Sequence, residues 1–320
     1  MSITLAHRSV TLKKKTANKT LVLTTMVLPG VIWLILLRYL PMFGVVLSFK
    51  NYRIYSKDPS LINNIIHSKW VGFDNFKFLF ATTDAGVMIR NTLVYNAIFI
   101  VLGIVIAVAF AIMLNEITKK HVARTYQTLM FFPYFLSWVV VSYFVFSFLS
   151  DDKGMITHMQ QNAGIKPTEW YSDTKPWPYI LIIANLWKNL GYSCVLYLAA
   201  ITGIDTSWYE AARIDGASKW QQVRYITLPH LRTIIIILFI LNVGRIFNAD
   251  FGLFYQVPMN SGPLFQATQV VDTYVYRALM FTGDIGMSSA AGLVQNVVGF
   301  ICIMIANSIV KKVDPDSSLF

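Results

Sequence analysis

Residues Ser207 to Pro229 read SWYEAARIDGASKWQQVRYITLP, a polar, helix-patterned stretch set between two strongly apolar runs. Local chemistry divides it into two short helices. Ser207-Trp208-Tyr209-Glu210 fits a capping box, with Ser207 as N-cap and Glu210 reaching back from the third helical position. The first helix continues through Ala211, Ala212 and Arg213 towards Asp215, and Gly216 is placed to end it in a left-handed cap. Ser218-Lys219-Trp220-Gln221 is a second capping box that opens a second helix. Pro229 disfavours helical backbone at Leu228, so this helix is predicted to stop before the next apolar run. Small Ala211 and Ala212 leave one face of the first helix slim enough to enter a groove. Flanking charges of both signs suit a protein partner better than lipid.

The apolar runs on either side decide the solvent. Hydrophobic residues make up 55% of the 320, and charged residues only 13%, too few to cover a soluble domain of this size. A hydrocarbon core of roughly 30 Å takes about 20 helical residues, and six runs reach that length. They are Thr20–Phe49, interrupted by Pro29-Gly30 and Pro41, then Val87–Met113, Thr125–Leu149, Pro178–Gly203, Leu231–Asn248 and Gly286–Val310. An all-α polytopic membrane protein of six transmembrane helices is expected. Prolines inside spans are tolerable where neighbouring helices satisfy the freed carbonyl groups. The first run is too long for a signal peptide and lacks an A-x-A-like cleavage site, so it reads as an uncleaved span.

Charge sets the expected orientation. With the N-terminus inside, the inner segments hold fourteen Lys and Arg and the outer segments nine, and the positive-inside rule places both termini in the cytoplasm. Residues 1–19, with Arg8, Lys13, Lys14, Lys15 and Lys19, form a basic cytoplasmic segment, 20–310 the six-helix domain with its loop at 204–229, and 311–320 a cytoplasmic tail. The outer segments Lys50–Gly86, Ser150–Trp177 and Ala249–Ile285 are long. KWVGFDNFKFLF (Lys69–Phe80) and VDTYVYRAL (Val271–Leu279) within them are candidates for short helices on the outer membrane surface.

Several function classes are excluded. Cys194 and Cys302 fall inside apolar runs and read as buried thiols, and the five histidines have no ligand spacing, so no metal site is expected. No Walker A loop, GxGxxG or nucleophile elbow occurs, so the chain is not expected to be an enzyme, to bind a cofactor or to hydrolyse ATP itself. The net charge of +11 is spread along loops without an aromatic-basic module for nucleic acid. A secondary transporter needs coupling-ion carboxylates in its spans, where Asp and Glu are essentially absent.

At the polar loop the sequence resembles a known family. E-A-A, three residues, G, nine residues, I, one residue, L-P is the signature of permease subunits in type I ABC importers. Here it is Glu210, Ala211, Ala212, Gly216, Ile226, Leu228 and Pro229, in register. LWKNLGYSCVLYLAAITGID (Leu186–Asp205), GRIFNADFGLFYQVP (Gly244–Pro258) and VDTYVYRAL are similar to the carbohydrate branch, and within it to importers of polysaccharide fragments such as alginate and pectin oligosaccharides. The rival within the superfamily is a permease for a non-sugar solute. The resemblance implies a bacterial inner-membrane subunit whose loop docks on a cytoplasmic ATPase. Glu210 would meet a basic residue there, and Gly216 would set the angle between the two helices. The implied partners are a second permease of similar fold, two ATP-binding cassette subunits that use ATP and Mg, an extracytoplasmic solute-binding protein, membrane lipid and an oligosaccharide cargo.

Polar groups within the spans are the candidate cargo path. A charge at mid-bilayer costs about 2.5–3.5 kcal/mol on insertion scales, so such groups face protein or water. Asn185, Lys188 and Asn189 share one helix face, which Tyr192 continues. Arg245 and Asn248 lie three apart near the outer end of the fifth span, and Gln295 and Asn296 are the polar pair of the last. Two readings stay open: hydrogen-bonding partners for a sugar, or polar contacts between helices. Asp250 as an ion-pair partner of Arg245 belongs to the second. Lys188 and Arg245 are basic groups with few acids nearby, which favours a carboxylate-bearing cargo, while the three donors of Lys and five of Arg equally suit neutral hydroxyls.

Overall fold

In the computed structural model, residues 19, 21–52, 60–78, 83–315 and 318 are described. Arg8, Lys13, Lys14 and Lys15 of the basic segment, and Thr20, lie outside them. Among the described residues, five straight helices and one bent pair are long and apolar enough to cross a bilayer. They fall on the six predicted runs, with two substantial revisions described below. The chain divides into two compact units, residues 1–75 with 285–290, and 76–284 with 291–320.

In the first unit, α1 (Leu21–Phe49) runs unbroken through Pro29 and Gly30. Ahead of Pro41 it loosens into a wide π turn, Ile35–Tyr39, and it finishes as a 3-10 helix, Leu40–Phe49. Proline cannot donate to the preceding turn, and the change of helix type absorbs the missing bond. The chain then forms β1 (Lys50–Asn51), α2 (Leu61–His67) and β2 (Lys69–Trp70), with Lys50 opposite Trp70 in an antiparallel pair. The amide of Asn75 holds this bridge, donating to the carbonyls of Ser48 and Lys50 at 3.0 Å each. The helix predicted across Lys69–Phe80 is therefore not formed at its start. Backbone pairing with β1 wins there, and a 3-10 turn at Asp74–Phe76 follows; Leu79 and Phe80 of the predicted helix lie outside the described residues.

The second unit is built on α3 (Thr83–Asn115) and α7 (Trp177–Thr202), its most extensively packed helix pair. Small residues bring them together: Ala107, Ala111 and Cys194 are buried in one cluster with Tyr197 and Leu231, and Ala184 in another with Tyr95, Trp177 and Phe254. In lipid this close fit supplies dispersion contacts where no hydrophobic drive between helices exists. The third predicted span is not one helix. α4 (Lys120–Phe131) passes into a 3-10 turn at Phe132–Phe135, and α5 (Trp138–Leu149) leaves at 97°. Pro133 interrupts the bonding, and the Ser137 hydroxyl caps the new helix by accepting from the Val140 amide at 3.3 Å.

After α6 (Met155–Asn162) and α7 comes α8 (Thr206–Ile214), then α9 (Lys219–Val243). α9 contains both the second loop helix and the fifth span, so the predicted stop before Pro229 does not occur. Leu228 is helical, with φ −63° and ψ −41°. A π turn at Val223–Thr227 widens the helix just where the proline lacks its donor. The fifth span ends earlier than predicted, at Val243, and residues 244–250 are irregular. α10 (Val271–Thr282) forms as predicted and closes on Gly283 at φ +65°, and α11 (Ile285–Val313) is the last span.

Candidate functional site

A cavity of about 760 Å³ opens within the second unit, walled by α3, α7, α9, the bend before α5 and the irregular 244–250 segment. Of the predicted path residues, Asn185, Asn189, Tyr192, Arg245 and Asn248 line it. Sequence reasoning missed Asn96, Asn242 and Tyr134, which also line it. The two asparagines stand in apolar runs, a signal of the same kind as those used. Tyr134 and Tyr192 stack with ring centroids 4.8 Å apart and planes 10° apart, making an aromatic plate on one wall.

The amide groups are already oriented. The side-chain nitrogens of Asn189 and Asn242 donate to the carbonyls of Asn185 (3.1 Å) and Leu238 (2.8 Å) one turn back. Asn96 donates to Ile246 (2.8 Å) and Asn248 (3.1 Å). Their oxygens remain as acceptors, the partners that hydroxyl groups need. Arg245 is exposed to the cavity, is the one charged side chain among its lining residues, and forms no ion pair among the described residues.

Lys188 and Gln295 do not line the cavity; their polar ends serve the backbone. Lys188 is 8% exposed, and its ammonium donates to the carbonyls of Tyr134 (2.9 Å) and Leu136 (2.6 Å) at the bend between α4 and α5. Two hydrogen bonds to a charged group contribute roughly 1.5–3 kcal/mol each, enough to offset the insertion cost of one lysine. Gln295 donates to the Phe247 carbonyl (2.9 Å) and to the Asp272 carboxylate (3.1 Å). That carboxylate also accepts from the Ala249 amide at 2.8 Å. Burial pushes the Asp272 carboxyl above the usual range, and these hydrogen bonds oppose the shift. Asn296 is exposed and bonds its own helix at Gly292 (2.8 Å). Asp250 does not pair with Arg245: it accepts from the Trp138 indole (2.7 Å) and the Gly252 amide (3.0 Å).

The loop carrying Glu210, Ala211, Ala212 and Gly216 lies at another end of the same unit. Its first cap differs from the prediction. Asp205, not Ser207, is the N-cap, its carboxylate accepting from the Ser207 amide at 2.9 Å. Hydrogen bonds from Ser207 hold that carboxyl below its ordinary range. With the helix starting two residues earlier, the Ser207 amide is one of its free first-turn donors, and a carboxylate both accepts from it and complements the positive end of the helix dipole. The C-terminal cap is as predicted. Gly216 has φ +79°, its amide donates to Arg213 (3.1 Å), and Ala217 donates to Ala212 (2.8 Å), the paired bonds of a Schellman motif. The second capping box also forms, Ser218 and Gln221 bonding each other's backbone at 2.7 and 3.3 Å.

α8 has no buried residue, whereas Thr227 is buried and bonds Tyr209 at 2.9 Å. Trp208 packs edge-on against His230. Of the remaining motif positions, Glu210, Ala211 and Pro229 are exposed, and Ala212, Ile226 and Leu228 are half-buried. The loop thus leans on the start of the fifth span while leaving Ile214 87% and Trp220 69% exposed.

Apolar helices of spanning length, a polar cavity within the second unit and an exposed two-helix loop are the features of a transport permease. The chain belongs to the family of binding-protein-dependent transport system inner membrane components, which matches residues 99–315. It is 33% identical to the protein LplB of Bacillus subtilis (strain 168) over 91% of this chain and 89% of that one. It is also 33% identical to the polygalacturonan/rhamnogalacturonan transport system permease protein YteP of the same organism, over 90% and 87%. Among solved structures it resembles a chain of a bacterial ABC transporter involved in the import of the acidic polysaccharide alginate, with TM-score 0.81, 28% identity and coverage of 94% of this chain and 98% of the other. A second structure, of the bacterial alginate ABC transporter in complex with an alginate pentasaccharide-bound periplasmic protein, matches with the same TM-score and identity over 93% and 97%. The fold is that of an ABC importer permease, and the family is one of transport rather than catalysis.

Proposed function

We propose that this chain forms the translocation path for oligosaccharides in an ATP-driven importer, and that uronic-acid oligosaccharides are its favoured cargo. The observation that carries the reading is the cavity wall: a stacked tyrosine pair, several asparagine amides and a single guanidinium. Pyranose faces stack on aromatic rings, hydroxyls donate to amide oxygens, and a carboxylate matches the fork of Arg245. The polygalacturonan and alginate transporters to which the chain is similar support an acidic cargo.

The wider assembly follows from the same reading. The α8–α9 loop faces the cytoplasm and docks, through Glu210, the Ala211-Ala212 face and exposed Ile214, in a groove of an ATPase subunit that uses ATP and Mg. A second permease and an extracytoplasmic binding protein complete the importer. The cargo test is uptake of trigalacturonate and of a neutral trisaccharide, maltotriose, by cells carrying wild type or Arg245→Gln. Selective loss of trigalacturonate uptake is expected, by roughly tenfold for about 1.4 kcal/mol of charge-assisted bonding. Equal loss for both sugars would overturn the acidic-cargo reading, and faster maltotriose uptake by wild type would do the same.

A further inference from the structure

We infer that Lys188 is a positioning residue for cargo recognition: its ammonium pins the bend of the third span and so holds Tyr134 in the cavity wall. The bend leaves the carbonyls of Tyr134 and Leu136 without helical partners at membrane depth, where no water replaces them. Lys188 donates to both, at 2.9 and 2.6 Å, from a helix more than fifty residues further along the chain. It also lies against the two rings that flank the bend, 5.4 Å from the Trp138 ring and 5.6 Å from the Tyr134 ring.

Further contacts bear on the Tyr134 ring. Tyr192, one helical turn after Lys188, stacks on its ring. Between them in sequence, Gly191 lets α7 touch the end of α4, since a Cβ there would lie 2.1 Å from the Met130 carbonyl oxygen. On the far side of the bend, the Trp138 indole donates to Asp250, whose carboxylate also holds the turn at Gly252. Among the described residues, Lys188 is thus the cation joining α7 to both sides of the bend, and the side chain it places is an aromatic wall of the cavity. Among the described residues, no other charged group contacts Tyr134 or Leu136.

The inference rests on the cavity being the cargo path, and the test separates the two. KM and maximal rate of trigalacturonate and maltotriose uptake are measured in cells carrying the whole transporter, with the amount of chain in the membrane determined for each variant. Tyr134→Ala is expected to raise KM by about two- to tenfold with the maximal rate retained, the signature of lost cargo binding. Lys188→Met, close in length but without donors, is expected to do the same, and Lys188→Arg to restore the wild-type KM. The double variant Lys188→Met/Tyr134→Ala should be no worse than Tyr134→Ala, because both act through one ring. If Lys188→Met does not accumulate, Lys188→Gln is read in its place: its shorter amide reaches at most one of the two carbonyls, so KM is expected to rise by less than in Tyr134→Ala but above wild type. An unchanged KM in the lysine variant beside a raised KM in Tyr134→Ala overturns the inference and leaves the cavity reading intact, as does an additive double variant. An unchanged KM in Tyr134→Ala overturns both.

Discussion

Gly216 and Gly191 show how one residue type answers two different physical demands. Around Gly216 an added Cβ would meet nothing within 4 Å, but the backbone sits at φ +79°. Around Gly191 the conformation is ordinary helix, and the added atom would strike the Met130 backbone. Gly216→Val therefore strains only the cap, by about 1–2 kcal/mol for a β-branched residue forced left-handed. In vesicles reconstituted with the whole importer, transport and cargo-stimulated ATP hydrolysis are expected to fall together, while the chain still inserts. Normal pumping by Gly216→Val would remove the hinge role proposed for this glycine.

At the scale of elements, the irregular segment 244–250 is held by side chains from three helices. Its carbonyls at 246, 247 and 248 take bonds from Asn96 and Gln295, and the amide of Ala249 donates to Asp272. The close approach of α11 adds to this, because a Cβ on Gly299 would lie 2.3 Å from the Gly244 carbonyl oxygen. Arg245 and Asn248 are held out from this frame into the cavity. Asn96→Leu leaves two carbonyls without that donor, at a cost of about 1–3 kcal/mol for each one left unsatisfied. A lower thermal midpoint of the detergent-solubilised chain is expected, together with weaker trigalacturonate uptake. An unchanged midpoint would mean that the 244–250 segment does not depend on Asn96.

Across the whole molecule, the proposed orientation rests on the Lys and Arg asymmetry. On a background lacking Cys194 and Cys302, single substitutions Ser218→Cys and Asn260→Cys are expected to label from opposite sides, Asn260→Cys from outside intact cells. Labelling of both from outside would reverse the proposed topology, and with it the docking of Glu210 and Gly216 on an ATPase.

What the sequence determined by itself was whatever depends on neighbours along the chain. Apolar length marked the spans, and a Gly flanked by helix formers marked the cap at Gly216. A Ser three residues before a Gln marked the second box at Ser218. The competition at the first cap, between Asp205 and Ser207, was also local but needed the geometry of the turn to resolve. Tertiary structure decided what the polar residues inside the spans do. Lys188 and Asn189 are adjacent, and Asn185, Lys188 and Tyr192 share one face, yet Asn185, Asn189 and Tyr192 meet the cavity while Lys188 meets carbonyls 52 and 54 residues away. Periodicity tells which residues share a face of a helix. It does not tell whether that face meets open space or the broken backbone of a neighbour, because the break at Pro133 and the irregular turn at 244–250 create their demand for donors only once the helices have packed.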